Sequence, residues 1–335
     1  MRSPSAWIRG VRHPEAFHGE GIDHGFFEGW YVKLVTADRA ARWAVIPGIF
    51  RGLGGDGHAR DESFVQVLDG LTGRSWYHRY PASEFWASDR SFEVWVGSNR
   101  FGVDGVTLDL PQLRGRIGYV TPLVPWPVTL REPGILGPFG LVPFMECFHG
   151  VVSFGHALAG SLDVEGAPTS FDAGRGYIEK DWGRSFPAGY VWMASNHVDA
   201  STGDGSDASL VASVAIIPWL RRSFRGSIIG LRPGGRLHRW TTYNGSREDR
   251  LTIDDTHVRW TVRGPDGTLE LDAERVRGGL LHAPLRTAMH RRVEETLDAR
   301  VQLRQRDPEG RVLLEGAAEC AGLEVFGDTD RLLAL

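Results

Sequence analysis

The chain has 335 residues, of which 41% are hydrophobic and 24% are charged, as in folded globular proteins. A net charge of −4 gives no general attraction to nucleic acid, and the two cysteines, Cys147 and Cys320, exclude a disulfide framework. No stretch approaches the roughly 20 apolar residues that span a bilayer, and no apolar secretory signal is recognisable, so we expect a cytoplasmic protein. The 43 glycines and 12 tryptophans favour an all-β protein.

Short runs with alternating apolar and polar residues follow one another along the whole chain, separated by turn residues. The first set of predicted strands is 26–35, 42–50, 63–69 and 74–80, followed by strand pairs at 84–96 and 99–110, the second of which turns at Asp104-Gly105, and by strands at 144–163. The second set is 176–182, 189–198, 208–217, 225–232, 236–243, 251–254, 257–263, 268–275, 294–306 and 311–325. One or two helical turns are predicted at 285–293. Strands at this spacing are typical of antiparallel β-sandwiches and β-barrels.

The number of strands predicts two β-units in tandem. We place an N-terminal segment at 1–20, the first unit at 21–170 and the second at 171–335. The proline- and glycine-rich segment 121–143 interrupts the alternation and predicts a long ordered loop or lid. Its apolar residues are suited to peripheral contact with a membrane and equally to packing inside a lid. They are Leu123, Val124, Trp126, Ile135, Leu136 and Phe139.

The stretch 176–198 concentrates residue types that carry chemistry. Lys180 is one of only two lysines among the 38 basic residues, and acids and tryptophans surround it. Strand alternation places the acids of 176–182 on one face, with a tyrosine, and the lysine on the other face, with a tryptophan. In chain order, the first set is Tyr177, Glu179 and Asp181, and the second is Ile178, Lys180 and Trp182. Such a mixture predicts a pocket wall, although surface ion pairs on a connecting strand would give the same pattern.

Two further acids fall among aromatic residues. In 26–35, Glu28 shares a predicted face with Trp30; in 144–154, Glu146 shares one with Phe148, and His149 lies on the opposite face. A carboxyl group in such surroundings has a raised pKa and is suited to donating a proton, unless an arginine pairs with it.

Other familiar sites are not predicted. The histidines lack the ligand spacing of a zinc site, so we expect no metal. No nucleophile elbow or phosphate-binding loop occurs, so ordinary hydrolase and nucleotide chemistry have no support.

Four motifs together resemble the tocopherol cyclase family over roughly residues 20–330. They are Phe26-Phe27-Glu28-Gly29-Trp30-Tyr31, Val142-Pro143-Phe144-Met145-Glu146-Cys147-Phe148-His149-Gly150, Gly176-Tyr177-Ile178-Glu179-Lys180-Asp181-Trp182-Gly183 and Trp192-Met193-Ala194-Ser195-Asn196-His197. The resemblance implies two tandem lipocalin-like β-units. It also implies an isomerase that closes the chromanol ring of a prenylated hydroquinone, a hydrophobic small-molecule substrate, and no redox cofactor.

That reaction suggests roles for the residues singled out above. Asp181 or Glu179 would donate the proton, and Lys180 would set the local charge. Trp182 and Trp192 would stabilise a carbocation, and Asn196 with His197 would bind or deprotonate the phenol. The remaining predicted substrate contacts are Tyr177, Glu28, Trp30, Tyr31, Glu146 and His149. Two alternatives stay open: a lipocalin-like carrier of an isoprenoid or quinone ligand, and a hydratase or cyclase of terpenoid or polyketide chains.

Overall fold

The protein is described here by a computed structural model covering residues 10–52, 60–130, 132–285 and 288–335. The chain forms two compact units. The first contains the described residues up to Asp69 with Arg74–Phe186 and Leu281–Arg292, and the second contains Gly70–Gly73, Pro187–Leu280 and Val293–Leu335. The regular structure is almost entirely antiparallel β-sheet, so the all-β prediction of two lipocalin-like units is confirmed. Within the described residues, no helix has the length and apolar character needed to cross a membrane.

The first sheet has twelve strands. They are β1 (Phe26–Val35), β2 (Arg42–Arg51), β3 (Glu62–Asp69), β4 (Ser75–Pro81), β5 (Phe85–Ala87), β6 (Glu93–Val96), β7 (Asn99–Gly102), β8 (Gly105–Asp109), β9 (Leu113–Tyr119), β10 (Cys147–Val164), β11 (Ala167–Ser170) and β12 (Arg175–Gly183). Their order is β4-β3-β2-β1-β12-β10-β9-β8-β7-β6-β5, and β11 pairs with β10. The last strand of the sheet in sequence therefore lies at its centre, between β1 and β10.

The core of the first unit lies on one face of this sheet. Alternate residues of β1 enter it, namely Trp30, Val32 and Leu34, together with Ile178 of β12. Each such side chain contributes about 1.5–3 kcal/mol when it leaves water. The other face of β1 is buried as well, at Tyr31 and Lys33. Polar groups on either face of these strands therefore need partners.

Gly183 ends β12 in a conformation that other residues rarely adopt. Its φ is +150°, and a Cβ atom there would lie 2.2 Å from the carbonyl oxygen of Glu146. The same carbonyl accepts a hydrogen bond from the backbone N–H of Arg184 at 2.8 Å. Glycine is therefore required where the end of β12 meets the start of β10.

The second sheet has eleven strands and a short C-terminal helix follows it. The strands are β13 (Gly189–Ser195), β14 (His197–Thr202), β15 (Leu210–Trp219), β16 (Arg222–Leu231), β17 (His238–Thr241), β18 (Arg247–Ile253), β19 (His257–Gly264), β20 (Gly267–Glu274), β21 (Gly279–Pro284), β22 (Met289–Arg306) and β23 (Val312–Gly327). Their order is β17-β16-β15-β13-β23-β22-β20-β19-β18, with β14 on β23 and β21 on β22. The helix, α1, spans Thr329–Ala334, and the Asp328 side chain caps its N-terminus by accepting from the backbone N–H of Arg331. Single 3₁₀ turns occur at Ala82–Glu84, Gly137–Leu141 and Thr242–Asn244.

One expectation about an individual segment needs correction. The helical turns predicted at 285–293 are wrong, because β22 begins at Met289 and pairing with β21 overrides the local preference. Residues 286–287 lie outside the described ranges. The strand pair predicted at 84–96 is present as β5 and β6, with a 3₁₀ turn before β5. The chain passes from the first unit to the second between Phe186 and Pro187, beyond the predicted position near residue 170.

The described residues of the segment 121–143, all except Arg131, form an ordered connection with one 3₁₀ turn, and part of it packs as a lid would. Trp126 and Ile135 are both buried, so neither offers the membrane contact considered above. The backbone N–H of Trp126 donates to the Val151 carbonyl at 3.0 Å. The N–H of Phe154 in turn donates to the Val124 carbonyl at 2.8 Å. The segment therefore runs along the edge of β10 that β12 leaves open.

Candidate active site

The centre of the first sheet carries most of the predicted site residues. Trp30 lies opposite Lys180 across β1 and β12, and His149 lies opposite Asp181 across β10 and β12. Alternation along β12 separates its side chains into the two predicted sets. We call the set that includes the core residue Ile178 the core face and the other set the acid face. The core face is Ile178, Lys180 and Trp182, and the acid face is Tyr177, Glu179 and Asp181.

On the core face, Lys180 forms a buried ion pair with Glu28. Lys180 Nζ lies 2.5 Å from Glu28 Oε1, and both side chains are inaccessible to solvent. The ammonium also lies 4.3 Å from the ring centre of Trp30 and 5.2 Å from that of Trp182. Burial alone raises the pKa of Glu28, but Lys180 and His18 lower it below its ordinary value. Glu28 thus neutralises Lys180 on the core face, opposite the face that carries Asp181, and the role of Lys180 in setting the charge at the proton donor stays a prediction.

Sequence reasoning missed His18. Its ring stacks on Trp182 with centroids 4.1 Å apart and an interplanar angle of 7°. His18 Nδ1 lies 2.8 Å from Glu28 Oε1 and 3.1 Å from Lys180 Nζ. Burial and the Lys180 ammonium lower the pKa of His18 to about 4. The residue precedes the first strand in a stretch without periodicity, so no pattern marks it.

On the acid face, His149 joins the two acids. Its Nδ1–H donates to Asp181 Oδ1 at 2.9 Å, and its Nε2 lies 3.5 Å from Glu179 Oε2. The Tyr177 hydroxyl donates to Glu179 Oε2 at 2.5 Å, and the Cys147 thiol lies 3.8 Å from Asp181 Oδ1. We call Tyr177, Glu179, His149 and Asp181 the acid cluster.

The acid cluster holds a proton on His149. Burial alone lowers the pKa of His149, but the Asp181 and Glu179 carboxylates raise it to about 9, so the ring is an imidazolium at neutral pH. Burial and the Glu179 carboxylate raise the pKa of Tyr177 far above its ordinary value, which keeps the phenol as a donor. The Asp181 side chain is 30% exposed, against 11% for His149 and 5% for Glu179. Of these three side chains, Asp181 is therefore the most accessible to solvent.

Among the described residues, His149, Glu179 and Asp181 form a group whose side chains could together hold a metal ion. One donor atom from each of His149, Glu179 and Asp181 lies within 4.8 Å of the others. His149 Nδ1 already donates to Asp181 Oδ1, whereas Nε2, 3.5 Å from Glu179 Oε2, is buried and makes no hydrogen bond. In this structure the cluster is therefore an ion pair between His149 and Asp181 with the Glu179 carboxylate nearby.

The first unit contains a small recess that His149 helps to line. Its cavity volume is about 20 Å³, which holds about one water molecule. Three pieces of chain line it: the N-terminal segment, the residues 133–140, and the paired ends of β10 and β12. The last piece contributes Phe148, His149 and Trp182, and the Phe148 and Trp182 rings stack with centroids 5.6 Å apart. Of the acid cluster, His149 is the one member among these lining residues, and the two rings lie on the face of the sheet opposite Asp181.

Two other predicted residues of the first unit lie near this region. Tyr31 is buried opposite Glu179, on the acid face. Glu146 precedes β10 in a bend, so the predicted strand alternation with Phe148 does not extend to it. The backbone carbonyl of Glu146 accepts a hydrogen bond from the backbone N–H of Arg184, directly after β12.

The remaining predicted residues belong to the second unit. Trp192 lies in β13 opposite Ser213 and Glu324. Asn196 occupies the break between β13 and β14, so the predicted strand 189–198 is two strands. His197 begins β14, and its backbone N–H donates to Ser195 Oγ at 3.1 Å. Trp192, Asn196 and His197 are all buried, and their part in catalysis stays a prediction.

Comparison with known proteins supports the resemblance drawn from the motifs. A family model described as "Tocopherol cyclase-like" matches residues 120–327. The chloroplastic tocopherol cyclase of Zea mays is 21% identical, with 97% of this chain and 80% of that protein covered.

Among solved structures, CghA with Sch210972 has a TM-score of 0.53 at 10% identity, covering 90% of this chain and 89% of that one. Kievitone hydratase from Nectria haematococca has a TM-score of 0.50 at 11% identity, covering 93% and 94%. At such identities these two structures support the fold alone. The family model covers more than half of the sequence and includes β10 and β12, which carry the acid cluster, and the chain therefore belongs to the tocopherol cyclase-like family.

Proposed function

We propose that the protein is an isomerase that closes a ring on a prenylated hydroquinone, adding a phenol O–H group across a prenyl double bond. The observation that carries the proposal is the ion pair between His149 and Asp181, which stores a proton at a partly exposed carboxylate; His149 also lines the aromatic recess. The family membership makes this reaction class the natural one to test.

The proposed reaction starts from that stored proton. The proton moves from His149 Nδ1 to Asp181 Oδ1, and the carboxylic acid then protonates the less substituted alkene carbon. A tertiary carbocation forms, and the phenol oxygen attacks it to close the ring. The phenol proton returns to the Asp181–His149 pair, so the product has the mass of the substrate and no redox cofactor takes part. General acid catalysis of this kind contributes about 10²–10⁴-fold in rate.

The neighbouring residues support the proton donor in this scheme. Glu179, oriented by the Tyr177 hydroxyl, keeps a negative charge near His149 Nε2 and so favours the imidazolium. Phe148 and Trp182 line the recess but lie on the side of the sheet opposite the Asp181 carboxylate, and the fully buried Lys180 ammonium already lies against Trp182. The cation-stabilising role of Trp182 therefore stays a prediction.

Incubation with a geranylated methylhydroquinone under anaerobic conditions tests the proposal. A new product of unchanged mass that depends on the protein supports the cyclase. A product heavier by one water would indicate a hydratase instead. Saturable binding without any product would indicate a carrier.

A further inference from the structure

The N-terminal residues Gly10–Gly19, which we call the strap, form one wall of the recess. Val11, Pro14 and His18 of the strap line it. Pro14 lies so close to β10 that a Cβ atom added to Gly150 would come within 2.8 Å of it. The strap is therefore part of the recess and sets its size on this side.

The buried ion pair of the core face holds the strap through its backbone. The backbone N–H of His18 donates to both carboxylate oxygens of Glu28, at 2.8 and 3.1 Å. The Lys180 ammonium donates to the Ala16 carbonyl. Each partner of the ion pair thus also satisfies a backbone group of the strap, and such groups are costly to bury unpaired.

Two side chains complete the attachment. The Trp30 indole N–H donates to the Glu15 carbonyl at 3.2 Å. The His18 Nε2–H donates to the Gly10 carbonyl at 2.9 Å, which closes the strap on itself. Trp30 and Lys180 are also cross-strand neighbours, so the contacts on the strap at Glu15, Ala16 and His18 come from one small area of β1 and β12.

The choice of a charged pair, Glu28 and Lys180, at these buried positions indicates a role besides stabilising the fold. A buried ion pair is often no more stabilising than apolar residues of similar volume. Glu28 and Lys180 make hydrogen bonds to the strap that apolar residues could not make. We propose that Glu28 and Lys180 are positioning residues, which hold the strap as a wall of the recess and act on the ligand through it. The inference rests on the proposed function and concerns the part of a prenylated hydroquinone that meets the mouth of the recess at His149, since the recess itself holds about one water molecule.

The double variant Glu28→Met/Lys180→Met tests the inference, because it removes both charges and leaves neither unpaired. Arg12 is an exposed residue of the strap, so trypsin cleavage after it reports release of the strap. We expect this cleavage to become at least tenfold faster. We also expect the Kd for geranylated methylhydroquinone to rise at least tenfold, measured by calorimetry in the Asp181→Asn background to prevent turnover.

A matched control exists in the second unit. Arg225 pairs with Glu248 at 2.7 Å and donates to the Leu332 carbonyl of α1, so this pair also holds a terminal segment. Arg225→Met/Glu248→Met should leave Arg12 cleavage and ligand binding unchanged. Should the first double variant fail to fold, His18→Phe provides a second route. It keeps an aromatic ring against Trp182 but loses the bond to Gly10, and faster Arg12 cleavage is again expected.

The outcomes separate the inference from the proposed function. Unchanged Arg12 cleavage in both strap variants would overturn the anchoring role. Faster cleavage with unchanged binding would overturn the positioning role and leave the proposed function intact. Equal acceleration in the control pair would attribute cleavage to general unfolding and also overturn the inference. If the wild-type protein neither binds nor converts the probe, the proposed function fails, and Arg12 cleavage alone then decides whether Glu28 and Lys180 anchor the strap.

Discussion

His149 lies directly opposite Asp181 across β10 and β12 and donates its Nδ1–H to Asp181 Oδ1 at 2.9 Å. The chain brings these residues together because β12 inserts between β1 and β10. Glu179 lies near the other ring nitrogen, so the imidazolium is held from both sides. This contact is the basis of the first two predictions.

Asp181→Asn should abolish ring closure and preserve the fold, because an amide still accepts from His149 but cannot deliver a proton. We expect the rate of product formation to fall by about 10²–10⁴-fold, measured by chromatography of the hydroquinone and its isomer. Asp255→Asn is the control, since Asp255 is exposed in the turn between β18 and β19. Full activity in the Asp181 variant would remove this carboxylate from the mechanism.

His149 should stabilise the protein in acid and neutral solution and lose that contribution in alkaline solution. The pKa of His149 is raised from 6.5 to about 9 in the folded protein. Its contribution is therefore complete below about pH 6.5 and is lost as the pH rises through about 9. Relative to His149→Gln, the free energy of unfolding of the wild type should fall by about 3 kcal/mol across this range.

Urea unfolding at a series of pH values measures this difference. His24→Gln serves as the control, because His24 is exposed. A difference between wild type and the His149 variant that does not depend on pH would show that His149 is not held as an imidazolium.

Lys180→Met should be strongly destabilising by itself, because it leaves the Glu28 carboxylate buried without its ammonium. Loss of one partner from a buried ion pair costs about 3–5 kcal/mol. The double variant Glu28→Met/Lys180→Met should lose less free energy of unfolding than Lys180→Met alone. Chemical denaturation of the wild type, both single variants and the double variant gives the coupling energy. Additive losses would contradict the ion pair.

Gly183→Ala should destabilise the first unit by about 1–3 kcal/mol, the usual cost of a residue forced into a rare backbone conformation. The added Cβ atom also meets the Glu146 carbonyl oxygen at 2.2 Å. Gly29→Ala is a matched control in β1, where the nearest atom would be 3.7 Å away. Thermal unfolding compares the two, and equal midpoints would show that the turn after β12 adapts freely.

The sequence predicts which side chains of β12 share a face, but it does not predict which residues those side chains contact. Period-2 reasoning separates Lys180 from Asp181, and the structure has them on opposite faces. The pairing of Asp181 with His149 depends on the strand order β1-β12-β10, which local patterns do not encode. The aromatic residues near Glu28 in the sequence predict a raised pKa for its carboxyl group, whereas Lys180, a lysine and not an arginine, lowers that pKa.

His18 shows a different limit of sequence reasoning. It acts through backbone and stacking contacts in a segment without regular structure, and such contacts leave no periodic signal. Local sequence patterns also do not mark where the first unit ends. β12 follows the turn residues near 170 but pairs with β1 and β10 of the first sheet.

Neighbouring positions in β12 carry opposite charges to opposite sides of one sheet, and this constrains the length of the strand. A single inserted or deleted residue before Lys180 would rotate every following side chain by half a turn. The ammonium would then meet His149, and a carboxylate would meet Glu28, so both arrangements would become repulsive at once. Changes in chain length are therefore expected in the surrounding turns and not within this strand.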